Sequence, residues 1–378
     1  MRTLDEAREV CESYLPGLLS KLSTTPLIER ERPGNAGLQL FRSSGGPALV
    51  IPKSYAGSGA TPFEAIQVTR AIGATAPSLA VASTMHHFSV ATVFTLAESL
   101  RSSGVEWALL EGIATQNLLV SSGFAEGNPG QGILSPTVGG VRKDGGVVVN
   151  GSKRPCSMSR SMDLLSASLS VPKEGGGSET LLMLLPAETP GVSVHPFWGS
   201  NVLAGAESDE VRLNDVFVDD MLLVPTEIGE QGELDELQTI GFMWFEMLIT
   251  SCYLGMASAL VERVLASGKL GPQPAAELGV RIETAAQLLE GIAWQLTAKQ
   301  GDNSALTKAM IARYGAQEAI VDAAHRAAGA LGGLAFIESP EVAYLVAACQ
   351  CVRFHPPSLS GTSGALAANF AGDVLRFE

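Results

Sequence analysis

The spacing of apolar residues changes twice along this 378-residue chain, and this limits the possible folds more than any other feature. From residue 4 to about 114, apolar residues recur every three or four positions, which is typical of amphipathic helices. Residues 118–224 instead carry short β-branched runs, such as 146–151 and 211–218, between Gly, Ser and Pro clusters. Helical spacing then returns. The sequence therefore predicts an α+β protein in which a β module lies between two helical regions.

We place the boundaries of these regions where the pattern changes. The predicted N-terminal helical domain comprises residues 1–116, the middle β domain 117–226 and the C-terminal helical domain 227–378. Within the last domain, the spacing predicts long helices over about 238–265, 275–300, 304–331 and 339–351, and a final helix after Gly364.

The charge balance excludes some classes of partner. The chain has 25 basic and 39 acidic residues, a formal net charge of -14, and a hydrophobic content of 46%. A net negative charge repels phosphate backbones and anionic membrane surfaces. Glu246 and Glu262 also interrupt the most apolar segment, so no uncharged stretch reaches the roughly 18 residues that a membrane span requires. We therefore expect a globular enzyme that binds neither nucleic acid nor membrane.

Cysteine usage and the N-terminus indicate the compartment. The five cysteines form no C-x-x-C pair, so the sequence predicts neither a disulfide framework nor a zinc site. The first residues are acidic rather than apolar, unlike a signal peptide. We therefore expect a reduced, cytoplasmic protein.

Five segments carry motifs that occur in a fixed order. Residues 51–59 read I-P-K-S-Y-A-G-S-G, residues 119–127 read L-V-S-S-G-F-A-E-G, and residues 150–157 read N-G-S-K-R-P-C-S. Residues 210–218 read E-V-R-L-N-D-V-F-V, and residues 329–333 read G-A-L-G-G. In this order they resemble the motifs of the acyl-CoA dehydrogenase superfamily across nearly the whole chain.

The resemblance implies a fold, a cofactor and an assembly. Members of this superfamily have an N-terminal helical domain, a β-barrel-like middle domain and a C-terminal four-helix bundle, and they bind FAD between the last two. Their FAD sites are shared between subunits, which implies a homodimer or homotetramer. Departures from the usual motifs make this chain similar to divergent members of secondary metabolism. The implied substrate is an acyl thioester carried on CoA or on an acyl carrier protein, and the electron acceptor stays open.

The same resemblance assigns flavin contacts. Ser157 takes the place of the family threonine at the flavin N5 edge, Cys156 would contact the ring through its backbone, and Pro155 replaces a tryptophan that shields the flavin. Lys269 stands near the place of an arginine that usually binds the FAD pyrophosphate. The complete implied set of cofactor contacts is Ser122, Gly123, Phe124, Cys156, Ser157, Leu331, Gly332, Gly333, Thr362 and Ser363.

Acyl-CoA dehydrogenation requires a base, and the usual C-terminal glutamate of the family is missing. Matching the Gly-Thr-Ser segment puts Ser360 at that position, whereas an ungapped count from Pro340 puts His355 there. Glu246 is an alternative base, because it is the only charge within the apolar residues 240–256 and burial would raise its pKa. A second interpretation is that Glu246 pairs with an arginine inside the bundle and supports only the structure.

His355 and Glu246 are therefore the candidate catalytic residues, and two enzymatic functions stay open. The first is an FAD-dependent dehydrogenase of an acyl thioester in a biosynthetic pathway. The second is a monooxygenase of the same fold that uses reduced flavin and oxygen, which the missing glutamate and His355 favour. A binding protein that has kept the fold without catalysis is the third possibility.

Overall fold

A computed structural model describes residues 1–128, 134–173, 175–226 and 233–377. Its N-terminal part is helical, as expected. One of these helices, Pro62–Thr75, begins at a capping box in which Thr61 and Glu64 bond each other's backbone N–H groups. The helices are α1 (Arg2–Tyr14), α2 (Leu18–Ser23), α3 (Leu27–Arg30), α4 (Gly37–Ser43), α5 (Pro62–Thr75), α6 (Pro77–Ala97) and α7 (Val105–Gln116).

The central part forms a single eight-stranded sheet. Its strands are β1 (Val120–Gly123), β2 (Gly139–Lys143), β3 (Gly146–Cys156), β4 (Leu164–Pro172), β5 (Ser178–Pro186), β6 (Val192–His195), β7 (Asp209–Asp219) and β8 (Leu223–Pro225). The path runs β6-β7-β3-β2-β4-β5-β8, and β1 pairs in parallel with β4. Alternate residues of β3 and β7, such as Val147, Val149, Val216 and Val218, are buried in a separate apolar core. The central sheet is confirmed, while the barrel-like shape and the division into three domains remain predictions.

Residues 233–377, as far as the structure describes them, form five α-helices, which differ from the expected ones at two places. They are α8 (Glu236–Ala266), α9 (Pro272–Thr297), α10 (Asn303–Glu338), α11 (Pro340–Gln350) and α12 (Leu359–Phe370). The first helical segment of α10 ends at Leu331, as expected, because Gly332 adopts a non-helical φ of 85°, but a second helical segment follows it to Glu338. The last helix begins at Leu359, before Gly364, because the Ser358 side chain accepts a hydrogen bond from the Gly361 N–H and caps it.

Helix α8 lies at the centre of the molecule and packs against α5, α6, α9 and α10. Two glycines allow its backbone to touch that of α5. A Cβ atom added to Gly255 would lie 2.1 Å from the carbonyl oxygen of Arg70, and one added to Gly73 would lie 2.3 Å from that of Cys252. This close contact joins the N-terminal helices and the C-terminal helices into one apolar core.

We expected no segment to be long and apolar enough to span a membrane, and this expectation is wrong. Three of the described helices are long and apolar enough, judged by length and composition alone. Helices α6, α8 and α10 each contain an 18-residue window with a mean hydropathy of 1.2 to 1.4. The α8 window is 100% buried within the protein, because this helix is surrounded by others, and the α6 window is 78% buried. The α10 window is only 33% buried.

Replacing Gly255 with alanine should destabilise the protein by about 1–3 kcal/mol, because the new methyl group would force α8 away from α5. Gly291, in α9, is the matched control, since nothing lies within 4 Å of its added Cβ. There the same change should stabilise by about 0.5–1 kcal/mol through helix propensity. Urea unfolding measures both, and equal effects would contradict the close packing.

Candidate active site

A cavity of about 560 Å³ lies where the sheet meets α6, α8 and the turn that follows α11. Its two sides differ in chemistry. The side formed by the sheet and its loops carries hydroxyl and charged groups, including Ser122, Arg154, Ser157 and Ser208. The helical side is apolar and consists mainly of Val81, Met85, Phe88, Phe242 and Phe245. A planar ligand with one polar edge and one apolar face would match this division.

The serines on the sheet side are held in place by hydrogen bonds. The hydroxyl oxygens of Ser157 and Ser208 are 2.9 Å apart, and the Ser121 hydroxyl donates to the Ser157 carbonyl at 2.6 Å. The next N–H along the chain, that of Met158, donates to the Ala206 carbonyl at 2.9 Å. The end of β3 is therefore fixed between β1 and the loop before β7.

Aromatic residues and an arginine close the cavity beside these serines. The Asp209 carboxylate accepts hydrogen bonds from the backbone N–H groups of Phe197 and Trp198, at 2.8 and 3.3 Å, and so orients this loop. The Arg154 guanidinium lies 5.6 Å from the centre of the Phe197 ring. Its Nε is buried and has no hydrogen-bond partner within the described residues.

His355 lies in the wall of the cavity, as one of the two candidate catalytic residues. Its Nε2 is 2.6 Å from the hydroxyl oxygen of Tyr253, a buried residue of α8. Burial and the nearby Arg313 guanidinium lower the pKa of His355 to about 3, so the imidazole is neutral at ordinary pH. A neutral imidazole has one donor and one acceptor nitrogen.

Glu246, the other candidate catalytic residue, does not line the cavity. It is fully buried inside the bundle, where its Oε2 accepts a hydrogen bond from Nε of Arg313 at 2.9 Å. Burial raises the pKa of Glu246 to about 7, although Arg313 opposes this shift. The structure thus matches the second interpretation of this residue, a pair with a buried arginine.

The predicted cofactor contacts separate into two groups. Ser122, Phe124 and Ser157 line the cavity. Gly123 and Cys156 belong to neighbouring strand ends but are not part of its lining; the Cys156 thiol is buried in the core of the sheet and donates to the Lys153 carbonyl.

The C-terminal members of the predicted set also lie outside this cavity. The Thr362 hydroxyl is 2.6 Å from that of Tyr314, and Ser363 is exposed. Leu331, Gly332 and Gly333 form the kink of α10, where Lys269 donates to the Leu331 carbonyl at 2.7 Å. The contact of that kink with a neighbour's cofactor stays a prediction.

Sequence reasoning did not identify several residues of the cavity. Tyr253 and the phenylalanines Phe242 and Phe245 all belong to α8, which is apolar on every side. The only sequence signal for them was a spacing of three and four residues, which places Gln238, Gly241, Phe242 and Phe245 on one face of the helix. Without a polar opposite face, nothing showed which side of the helix faces the cavity.

Glu126 lines the cavity but is tied to the sheet. Its carboxylate accepts hydrogen bonds from the Lys153 ammonium at 2.7 Å, from the N–H groups of Thr137 and Val138, and from the Thr137 hydroxyl. Burial alone would raise the pKa of Glu126, but these bonds outweigh it and lower the pKa to about 2. Burial also lowers the pKa of Lys153, against the pull of Glu126. This carboxylate is a structural acceptor and a poor proton acceptor.

The chain is similar in sequence to known bacterial proteins. It is 44% identical to isobutylamine N-hydroxylase of Streptomyces viridifaciens over 377 residues, which cover 100% of both chains. It is 26% identical to dibenzothiophene monooxygenase of Rhodococcus qingshengii over 71% of this chain and 64% of that one. No family model matches the chain.

Solved structures agree on the fold. KijD3, in complex with FMN and a dTDP-linked amino sugar, matches with a TM-score of 0.83 and 16% identity over 97% of this chain and 94% of that chain. The prolyl acyl carrier protein oxidase AnaB matches with a TM-score of 0.80 and 18% identity, over 98% of this chain and 99% of that chain. The nitrososynthase of Micromonospora carbonacea var. africana matches with a TM-score of 0.81 and 17% identity, over 97% of each chain.

The chain belongs to the acyl-CoA dehydrogenase superfamily. It is a flavin-dependent oxidoreductase of this superfamily.

The cavity fits the flavin that superfamily members bind. Ser122, Ser157 and Arg154 present donors on the sheet side, where the polar edge of an isoalloxazine ring would need hydrogen bonds. Phe88 and Phe245, whose ring centres are 5.2 Å apart, present an apolar surface across the cavity. Nε of Arg154 is one of the buried polar atoms that have no hydrogen-bond partner within the described residues.

The bond network of Glu126 predicts an acid-dependent loss of stability. Its pKa in the folded state is lowered from 4.5 to about 2, so the stabilisation is complete above pH 4.5 and is lost as the pH falls towards 2. The difference in free energy of unfolding between the wild type and Glu126→Gln should therefore shrink by up to about 1.4 kcal/mol per pH unit in this range. Urea titrations at several pH values measure it, and a constant difference would contradict the assignment.

Proposed function

We propose that this enzyme is a flavin-dependent monooxygenase that hydroxylates the nitrogen of a small aliphatic amine. One observation carries the proposal: the wall that faces the flavin side of the cavity is apolar and presents a neutral imidazole, His355, rather than a free carboxylate. The 44% identity to an isobutylamine N-hydroxylase over the full length of both chains supports the same chemistry.

Removal of an α-proton from an acyl thioester is less well supported. It needs a base that can reach the substrate. Within the described residues, Glu246 is sealed behind the cavity wall, and Glu126 is held by Lys153 and backbone N–H groups. The same fold does carry thioester oxidation in the oxidase AnaB, at 18% identity, so this activity is the alternative in the assay below.

Amine hydroxylation suits the groups that are present. The nitrogen must carry a free electron pair, and an apolar cavity favours the neutral amine over the ammonium ion. Val81, Met85 and Phe242 offer contacts to an alkyl group. The neutral imidazole of His355 can accept a hydrogen bond from the amine N–H or donate one to oxygen, depending on its tautomer. Bound reduced flavin would supply the electrons that activate oxygen.

The form of the flavin and the assembly belong to this proposal. The sequence predicts FAD, whereas the similar KijD3 structure contains FMN, so both forms are to be tested. A homo-oligomer stays a prediction. It is supported by exposed apolar side chains beyond the kink of α10, namely Leu334, Phe336 and Ile337, since exposed apolar surface of this kind often marks a contact with protein.

The enzyme should convert isobutylamine and similar amines into hydroxylamines when reduced FMN or FAD is supplied with oxygen. Mass spectrometry of the product, with incorporation of ¹⁸O from labelled oxygen gas, measures this directly. Anaerobic mixing of the oxidised holoenzyme with acyl thioesters is the competing assay. Bleaching of the flavin by a thioester, without any hydroxylamine from amines, would replace the proposal with dehydrogenation.

Replacing His355 with asparagine should lower the rate of hydroxylation by about 10²-fold, because the reacting groups would lose a positioned hydrogen bond from the imidazole. Asparagine can still bond the Tyr253 hydroxyl, so the fold and the binding of flavin should be preserved. His325→Asn is the matched control, since this histidine is exposed on α10. An unchanged rate in His355→Asn would remove the imidazole from the mechanism.

A further inference from the structure

We propose that Arg313 and Glu246 form a positioning pair that holds His355 in the cavity wall from behind; this rests on the proposed function. Both side chains have a relative exposure of 0%, and Nε of Arg313 lies 2.9 Å from Oε2 of Glu246. Neither residue lines the cavity. Any effect on the reaction must therefore pass through a residue that does.

The remaining donors of Arg313 identify that residue. Its Nη2 donates to the carbonyl oxygens of Val352 and His355, at 2.9 and 3.1 Å. Its Nη1 donates to Oε1 of Gln317 at 2.6 Å. A guanidinium directs its donors in a rigid plane, so acceptors on several sides fix its position and its orientation. The backbone on which His355 is mounted is thereby attached to α10.

Two tyrosines hold the rest of this turn. Tyr314, the next residue of α10, donates to the Pro357 carbonyl at 3.0 Å, and its ring lies 4.8 Å from the Arg313 guanidinium. Tyr253 of α8 bonds the imidazole itself. The backbone and the side chain of His355 are thus fixed by different helices, which determines where its second nitrogen points.

The energetics favour positioning over simple stabilisation. Taking two charges out of water costs several kcal/mol each, and an apolar pair of similar volume is often equally stable. Oε1 of Glu246 is also buried without a hydrogen-bond partner within the described residues, so the pair is not fully satisfied. A pair of this kind adds little stability, but it specifies one arrangement of the turn.

The test replaces both charges with apolar residues, Glu246→Leu together with Arg313→Met. This variant should still fold and keep its flavin, because no uncompensated charge remains. Its melting temperature should fall moderately, since the carbonyl oxygens of Val352 and His355 lose a donor. Hydroxylation should fall by about a hundredfold, since small misplacements of a catalytic group have such effects. Arg353→Gln is the control: it removes an exposed pair with Glu318, 3.0 Å long, from the same turn, and it should leave the rate unchanged.

A double-mutant cycle separates positioning from a general effect on the fold. In a His355→Asn background, the Leu/Met replacement should cause almost no further loss, because both changes act through the same imidazole. Equal losses in the two backgrounds would overturn the proposal. If the Leu/Met variant does not fold, Arg313→Lys serves instead, since it keeps the charge beside Glu246 but loses the planar donors.

A spectroscopic readout tests the pair independently of turnover. The ¹⁵N resonances of the His355 imidazole should shift or broaden in the Leu/Met variant and stay unchanged in Arg353→Gln. Unchanged resonances in the Leu/Met variant would overturn the positioning role even if no amine is hydroxylated. Shifted resonances without any hydroxylation would leave the positioning role intact and reject the proposed function alone.

Discussion

The geometry of the cavity depends on a buried contact between two opposite charges. Arg313 and Glu246 lie where no water can solvate them, so each needs the other, and loss of a single partner would cost about 3–5 kcal/mol. The guanidinium has further N–H groups beyond this pair, and one of its nitrogens donates hydrogen bonds to the carbonyl oxygens of Val352 and His355. The interior of the helical bundle is therefore mechanically connected to the wall of the site. Glu246 affects the site by holding the arginine and makes no contact with a ligand in the cavity.

Helix α8 brings the parts of the molecule together. Its glycine contact with α5 keeps the N-terminal helices close, its apolar face at Phe242 and Phe245 forms part of the cavity, and its Tyr253 bonds His355. One helix thus contributes to the core, to the ligand surface and to the orientation of the imidazole. Its complete burial explains why the helix is so apolar that its composition alone resembles that of a membrane span.

Much of this architecture could be predicted from residue spacing, because helices and strands impose different periods on the chain. The family motifs indicated Ser122, Phe124 and Ser157, and a residue count from Pro340 indicated His355; all four line the cavity. Glu246 was different. Its role depends on an arginine 67 residues away, and no local pattern shows which arginine a residue on the apolar helix α8 will contact. The predicted helix end at residue 331 coincides with the kink at Gly332, but the helical segment beyond it was not predicted, since only packing decides whether a helix resumes after a glycine.

The division of the cavity into two sides affects how such an enzyme can change. The serines that would face the cofactor sit at strand ends and loops whose backbone hydrogen bonds run through the neighbouring strands, so a change there disturbs many contacts at once. Val81, Met85 and Phe242 project from helices as separate side chains and can be exchanged one at a time. New substrate preferences can therefore accumulate on the helices during evolution while the redox half of the enzyme is inherited unaltered.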